Sequence, residues 1–226
     1  MALTPRGRKF AMTVHVTASV GWLGSVVAYL ALAVVGFTSH DAQVSRASYL
    51  SMEVVATFVV VPFSIATLLS GTAEAITTRW GLFRHWWVLA KFALTTVAAL
   101  ILWQHMPAVA RMATLAGESA LSIGDLRAQR LQLVLHAVGG LLVLLTATVL
   151  SVYKPWGLTP FARRTESQSS AGGPIDLPAS PGTAAAADAA VSARAPRWVN
   201  VVWIHALALG LLFLAIHLAG GGLRAH

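Results

Sequence analysis

The sequence predicts an all-α membrane protein: a four-helix transmembrane bundle, a disordered linker and a fifth transmembrane helix. Of its 226 residues, 57% are hydrophobic and 11% are charged, whereas soluble domains average about 25% charged residues. The apolar residues form blocks of roughly 20, which is the length needed to cross a hydrocarbon core of about 30 Å. Because backbone groups in lipid must find partners within their own segment, each block is predicted to be a helix.

The predicted spans cover residues 10–37, 49–69, 86–106, 131–152 and 198–218. The first span follows Arg6, Arg8 and Lys9, as the core of a secretory signal would. Its apolar run is too long for such a core, so we interpret it as an uncleaved helix. Pro62 lies inside the second span and predicts a kink there.

The connector after the fourth span differs in composition from the rest of the chain. It contains the runs TESQSSAGGP and LPASPGTAAAADAA, and a composition so rich in Ser, Pro, Gly and Ala predicts disorder. The sequence therefore divides into a four-helix unit (1–156), a cytoplasmic linker (157–197) and the fifth transmembrane helix (198–226).

Basic residues predict the orientation of the spans. With the amino terminus inside, the cytoplasmic segments carry ten Lys and Arg residues. The outer segments carry five, which are Arg46, Arg111, Arg127, Arg130 and Arg224. This bias predicts a multi-pass protein of the cell (plasma) membrane with a cytoplasmic amino terminus. The net charge of +8 lies at the ends of apolar blocks, so it predicts topology in a lipid bilayer and not a nucleic-acid partner.

The residue types present narrow the chemistry that the chain can perform. There is no cysteine, which excludes disulfides, thiolate zinc sites, iron–sulfur clusters and covalently attached c-type haem. The sequence has no P-loop, GxGxxG or HExxH motif either. A cofactor or metal would therefore be held by His, Met or carboxylate side chains.

Ionisable residues within the predicted spans gather in two layers. Such residues are costly in lipid and indicate functional sites. With alternating helix directions, the layer towards the cytoplasm contains His15, Glu74, His85, Lys91 and His205. The layer towards the outside contains Glu53, His105, His136 and His217. Because separate helices contribute to each layer, the two layers are the main functional signal in the sequence.

Helical spacing places several of these side chains on common faces. Lys91 and His105 lie within about 40° of one face and ~21 Å apart along it. The second span carries a similar stripe, made of Glu53, Thr57, Val60, Ser64, Thr67, Gly71 and Glu74. Gly140, one turn beyond His136, would let a flat ligand or a neighbouring helix approach closely.

Simpler interpretations apply to single residues. His105 and His217 lie near helix ends, where an imidazole is wetted, and Lys91 can extend to the interface. Glu53 suits the positive end of its own helix. Thr17, Gly21 and Ser25 recur at a spacing of four, which is typical of a helix–helix contact. Small-residue faces of this kind also predict a homo-oligomer.

Two stretches resemble a group of bacterial proteins. They are HVTASVGWLGSVVAYLALAV at 15–34 and LVLHAVGGLLVLLTATVLSVYKPWGLTP at 133–160. Both are similar to an uncharacterised, mostly actinobacterial family of predicted integral membrane proteins. The likeness covers the chain from Lys9 to about Pro160, which is essentially the four-helix unit.

A more distant resemblance is to the superfamily of copper resistance protein D and the HemJ-type protoporphyrinogen oxidase. It is carried by a first-helix His followed by small and aromatic residues (His15, Gly21, Trp22, Gly24) and by the run HWWVLAK at 85–91. A His then follows at 105. The resemblance implies a membrane helical bundle and a haem-associated site that includes His15, Lys91 and His105.

Three functions stay open from the sequence. The first is b-type haem bound between helices, since haem iron needs axial ligands such as His; its candidate residues are His15, Lys91, His105 and His136. The second is copper binding or transport, since imidazole with thioether suits Cu(I); its candidate ligands are His105, His136, His217, Glu53 and Met106. The third is a non-catalytic membrane scaffold whose polar residues join helices.

Overall fold

The computed structural model describes residues 4–77, 84–118, 126–153 and 159. These residues form four long helices: α1 (Pro5–Thr38), α2 (Ala42–Thr77), α3 (Trp86–Gly117) and α4 (Arg127–Tyr153). Each is long and apolar enough to cross a membrane, so the prediction of a helical membrane unit is confirmed at that level. The predicted linker and fifth helix, with His205 and His217, lie outside the described residues.

The helices extend beyond the predicted apolar blocks. The sequence predicts an end near Met106, yet α3 continues through Pro107 to Gly117. Hydrocarbon thickness sets the shortest helix that can span a bilayer, while capping and packing decide where a helix ends. At the α1–α2 turn, the side chain of Asp41 caps α2 by accepting hydrogen bonds from the backbone N–H groups of Gln43 and Val44, at 2.7 and 3.3 Å.

A π-helical segment interrupts α2 over Ala56–Val60. It directly precedes Pro62, where a kink is predicted, because proline lacks an N–H and its ring crowds the preceding turn. The wider turn shifts the inward face by one residue. Met52 and Ala56 are therefore buried, while Thr57 of the predicted stripe is exposed.

Each helix packs against its two neighbours in a ring that runs α1, α2, α3, α4 and back to α1. Neighbouring helices are antiparallel: on α1 and α2, Gly36 meets Tyr49 and Gly21 meets Phe63. A Cβ added to Gly21 would lie 2.7 Å from the Phe63 ring, so this small-residue face makes a contact within the chain. The homo-oligomer stays a prediction.

The bundle has two ends that are named here by the chain. The near end contains the start of α1 and α3 and the close of α2 and α4, and the far end is opposite. Between the ends, large apolar side chains point outwards, including Phe10, Phe58, Leu69 and Ile76, at 68–73% exposed. Exposure of such a surface to water costs free energy, whereas exposure to hydrocarbon does not. This surface is therefore what a membrane protein is expected to have.

Candidate functional sites

A polar cluster lies inside the bundle at the near end. His15 of α1 is buried, and its Nδ1 lies 3.0 Å from the Ser70 Oγ of α2. Its Nε2 lies 3.5 Å from the Lys91 Nζ of α3. An ammonium only donates, so Nε2 accepts from Lys91 and Nδ1–H donates to Ser70. The Ser70 hydroxyl donates in turn to the backbone oxygen of Ala66, at 2.6 Å.

The His15 ring packs directly on the backbone of α2. A Cβ added to Gly71 would lie 2.9 Å from His15 Cε1, so glycine is the residue that allows this approach. The ring also lines a cavity, whose walls include Thr67, Glu74 and Lys91. This cavity spans about 630 Å³ when the open space outside its mouth is counted. We call the group of His15, Ser70, Glu74 and Lys91 the near-end cluster.

The far half of the bundle contains a stacked pair of histidines. The rings of His105 on α3 and His136 on α4 are 4.0 Å apart between centroids and inclined by 6°. His136 Nδ1 lies 2.8 Å from the backbone oxygen of Gln132. A carbonyl only accepts, so Nδ1 carries the proton and the lone pair of the neutral ring lies on Nε2.

An apolar cavity adjoins this pair, and it spans about 620 Å³ when the open space outside its mouth is counted. We call it the far-end cavity. Its walls include Trp22, Tyr29, His105, His136, Gly140 and Leu144. A Cβ added to Gly140 would meet no atom within 4 Å, so the helix presents open space there. The hydroxyl of Tyr29 is buried without a hydrogen-bond partner, which is uncommon in folded proteins.

The stacking limits what the two rings can ligate together. An imidazole lone pair lies in the plane of its ring, and the two planes are nearly parallel, so one ion cannot lie in both planes. Ligation by both rings requires one of them to turn. Ligation by His136 alone requires no such turn, because the hydrogen bond to Gln132 orients its Nε2, as is usual for ligating histidines.

The remaining predicted ligands are placed less favourably. Glu53 is half-buried because the π segment turns its position away from the inward face. Met106 is also half-buried and packs against the core. Among the described residues, no group of three or more His, Cys, Asp or Glu could hold a metal ion. His85 of the predicted cytoplasmic layer is the residue that precedes α3.

The predicted stripe on α3 lines both cavities. Lys91 and Thr95 line the near-end cavity, whereas Ala98, Leu102 and His105 line the far-end cavity. One face of α3 thus runs from the near-end cavity to the far-end cavity, as its helical spacing predicts.

Sequence reasoning assigned Arg130 only to topology, yet the structure buries it. Arg130 of α4 is 5% exposed, and its Nη2 donates a hydrogen bond to Ser45 Oγ of α2. Its guanidinium carbon lies 5.2 Å from the centre of the Tyr49 ring. The available signal is the spacing of Arg130, Leu133 and Ala137, which places the arginine on the inward face of α4.

No protein-family model matches this chain, and neither a curated protein nor a solved structure matches it. The resemblance to the actinobacterial family and to the copper resistance protein D superfamily therefore stays a prediction.

Proposed function

We propose that the four-helix unit is a membrane-embedded haem-binding protein that holds b-type haem in the far-end cavity, with His136 as an axial ligand. The observation that carries this proposal is the combination of an apolar cavity with an imidazole whose tautomer directs a lone pair from Nε2. Ligand sites are commonly apolar clefts with a few polar groups that set the orientation of the ligand.

The wall around His136 supports a flat ligand. Gly140 lies one turn from His136 on α4, and its inward side is open. A surface without a side chain lets a flat macrocycle approach the helix backbone closely. Trp22 and Leu144 supply apolar contact at the same cavity. When bound, haem supplies one-electron redox chemistry, while these residues exclude water and orient the group.

His105 has a supporting role in this proposal. Its ring is buried at 7% exposed and stacks on His136. The stack restricts rotation of the His136 ring, in addition to the hydrogen bond to Gln132. His105 would hold the haem iron together with His136 only if one of the two rings turned out of the stack.

The absorption spectrum of the full-length protein, purified from haem-replete cells, tests the proposal. We expect a Soret band that is lost in His136→Ala and retained in His105→Ala. His40→Ala is a matched control, because His40 is an exposed histidine between α1 and α2 and its loss should leave the spectrum unchanged. A colourless wild-type protein that also takes up no added haemin would refute the proposal.

Copper binding is the second candidate. The thioethers of Met52, Met106 and Met112 belong to the same apolar cluster as Trp22 and Tyr29, which line the far-end cavity. Thioether and imidazole together suit Cu(I). Elemental analysis after purification without chelators tests this reading: bound copper that falls in both His136→Ala and Met106→Leu supports it, and copper at buffer background excludes it.

We also propose that the amino terminus faces the cytoplasm, which would put the far-end cavity in the outer half of the plasma membrane. The chain has no cysteine, so one introduced cysteine is a unique label. A membrane-impermeant maleimide should label His40→Cys in intact cells and Thr4→Cys only after permeabilisation. The reverse pattern would invert the proposed orientation.

A further inference from the structure

Arg130 is a buried cation whose hydrogen bonds are incomplete. Its Nη2 is bonded to Ser45, but its Nε is buried with no hydrogen-bond partner. Ser45 is itself neutral and donates to the backbone oxygen of Gly36, at 2.9 Å. Within the described residues, the polar contacts of Arg130 are thus to a hydroxyl and a tyrosine ring, with no carboxylate among them.

This position is unfavourable for a cation without a counter-ion. A buried charge loses its hydration, and only a close anion or a complete set of hydrogen bonds restores that loss. Arg130 is the fourth residue of α4, which begins at Arg127. The first turn of a helix carries the positive end of the helix dipole, which repels a cation and attracts an anion. Contact with the face of Tyr49 offsets only part of this cost.

Arg130 lies on α4 outside the residues that line the far-end cavity, towards the start of the helix from His136 and Ala137. Leu133 and Ala137 are buried on α4 between Arg130 and the open position at Gly140. Arg130 precedes His136 by six residues, which corresponds to ~9 Å along the helix axis. Tyr49, beneath the guanidinium, belongs to the same core cluster as Tyr29, which lines the cavity.

We infer that the far-end cavity takes a ligand with an acidic group, and that Arg130 binds this group as a carboxylate. For haem, the carboxylate is a propionate, so the inference rests on the proposed function for the identity of the ligand. The Nε–H of Arg130 donates to the carboxylate and the guanidinium supplies its counter-charge. Arginine suits this role because its charge is permanent and its donors match a carboxylate. Arg130 is a ligand-binding residue in this scheme, and His136 ligates the iron.

Haemin and its dimethyl ester provide the test, because esterification removes the charge of both propionates and keeps the macrocycle. Both compounds are titrated into the full-length protein in detergent and followed by the Soret band. We expect the wild type to bind haemin about tenfold more tightly than the ester, the scale of one charge-assisted hydrogen bond. Arg130→Met should reduce this ratio to about one, while Arg130→Lys should keep part of it.

Arg127→Met is the matched control, because Arg127 is an exposed arginine on the same helix turn. The ratio of haemin to ester affinity in this variant should equal that of the wild type. Equal binding of haemin and ester by the wild type overturns the inference and leaves the proposed function intact. An unchanged ratio in Arg130→Met also overturns it. Binding of neither compound means that the proposed function fails, and the propionate assignment fails with it. The wild-type ratio requires no variant, so poor folding of Arg130→Met does not remove the test.

Discussion

The near-end cluster and the far-end cavity both contain histidine, but they differ in the polarity of their walls and in how their hydrogen bonds are completed. At the near end, both nitrogens of His15 have partners, and the chain of donors continues through Ser70 to the backbone. Tyr29 Oη in the far-end cavity is buried without a partner, as is Arg130 Nε nearby on α4, and at the near end Thr67 Oγ1 is likewise unpartnered. The hydrogen bonds of His15 stabilise the folded chain by themselves, whereas we interpret the unpartnered cation at Arg130 as a group that a ligand can complete.

The largest expected effect concerns removal of the central histidine from each site. His15→Leu removes the contacts of the ring with Ser70 and Lys91 and leaves Glu74 as the remaining charged partner of the ammonium in the cavity, so we expect a loss of about 2–3 kcal/mol in the free energy of unfolding. His136→Leu should cost less, about 1 kcal/mol without haem, because the hydrogen bond to Gln132 goes to a backbone carbonyl and leaves no buried charge behind. Reversible unfolding in mixed micelles measures both values.

The double variant His15→Leu with Lys91→Met checks the physical reason. Removal of both partners eliminates the ammonium that has lost its imidazole acceptor, so it should recover part of the stability that His15→Leu loses. If His15→Leu and His136→Leu cost the same, or if the double variant is no better than the single one, the near-end cluster is not a closed network.

A smaller effect is expected from alanine at two glycines. Gly71→Ala brings a Cβ to 2.9 Å from the His15 ring, so we expect a loss of about 1–3 kcal/mol in the free energy of unfolding. Gly140→Ala meets open space and should be neutral or stabilising by about 0.5–1 kcal/mol without ligand, since alanine is the better helix former. Thermal unfolding of the two variants side by side measures the difference.

Gly140→Ala should nevertheless weaken haem binding, because its methyl group occupies space at the cavity wall. Titration of haemin into this variant tests that expectation independently of stability. Unimpaired binding would place the ligand elsewhere, and equal stability changes in the two glycine variants would remove the distinction between a filled and an open site.

The smallest expected effect is that of Arg130→Met on the ligand-free protein. The variant loses the hydrogen bond to Ser45 and the cation–π contact with Tyr49, which destabilises the fold. It also removes the desolvation cost of a buried cation, which stabilises the fold. We expect the free energy of unfolding to change by less than about 1 kcal/mol, in contrast to His15→Leu. With haemin bound, the same variant should gain less stabilisation than the wild type. A large loss without ligand would make Arg130 a structural residue.

The sequence by itself determined the helices and the inward face of α3. Long apolar runs require helices in lipid, and a period of 3.6 residues places Lys91, Thr95 and His105 on one face of α3 whatever its neighbours do. Pro62 similarly predicts a disturbance in α2, because a missing N–H is a property of the residue alone. These features depend on local covalent structure and on the thickness of the bilayer.

Only the tertiary structure decided which polar residues meet and which do not. The contact between His15 and Lys91 joins α1 to α3, and that between Ser45 and Arg130 joins α2 to α4, across the two diagonals of the bundle. Such pairs depend on the rotation and crossing of all four helices, which no local pattern specifies. The π segment adds its own rotation to α2 and turns Glu53 away. The sequence therefore identified Arg130 only as a charge that sets the membrane orientation, and its burial follows from the packing of the four helices.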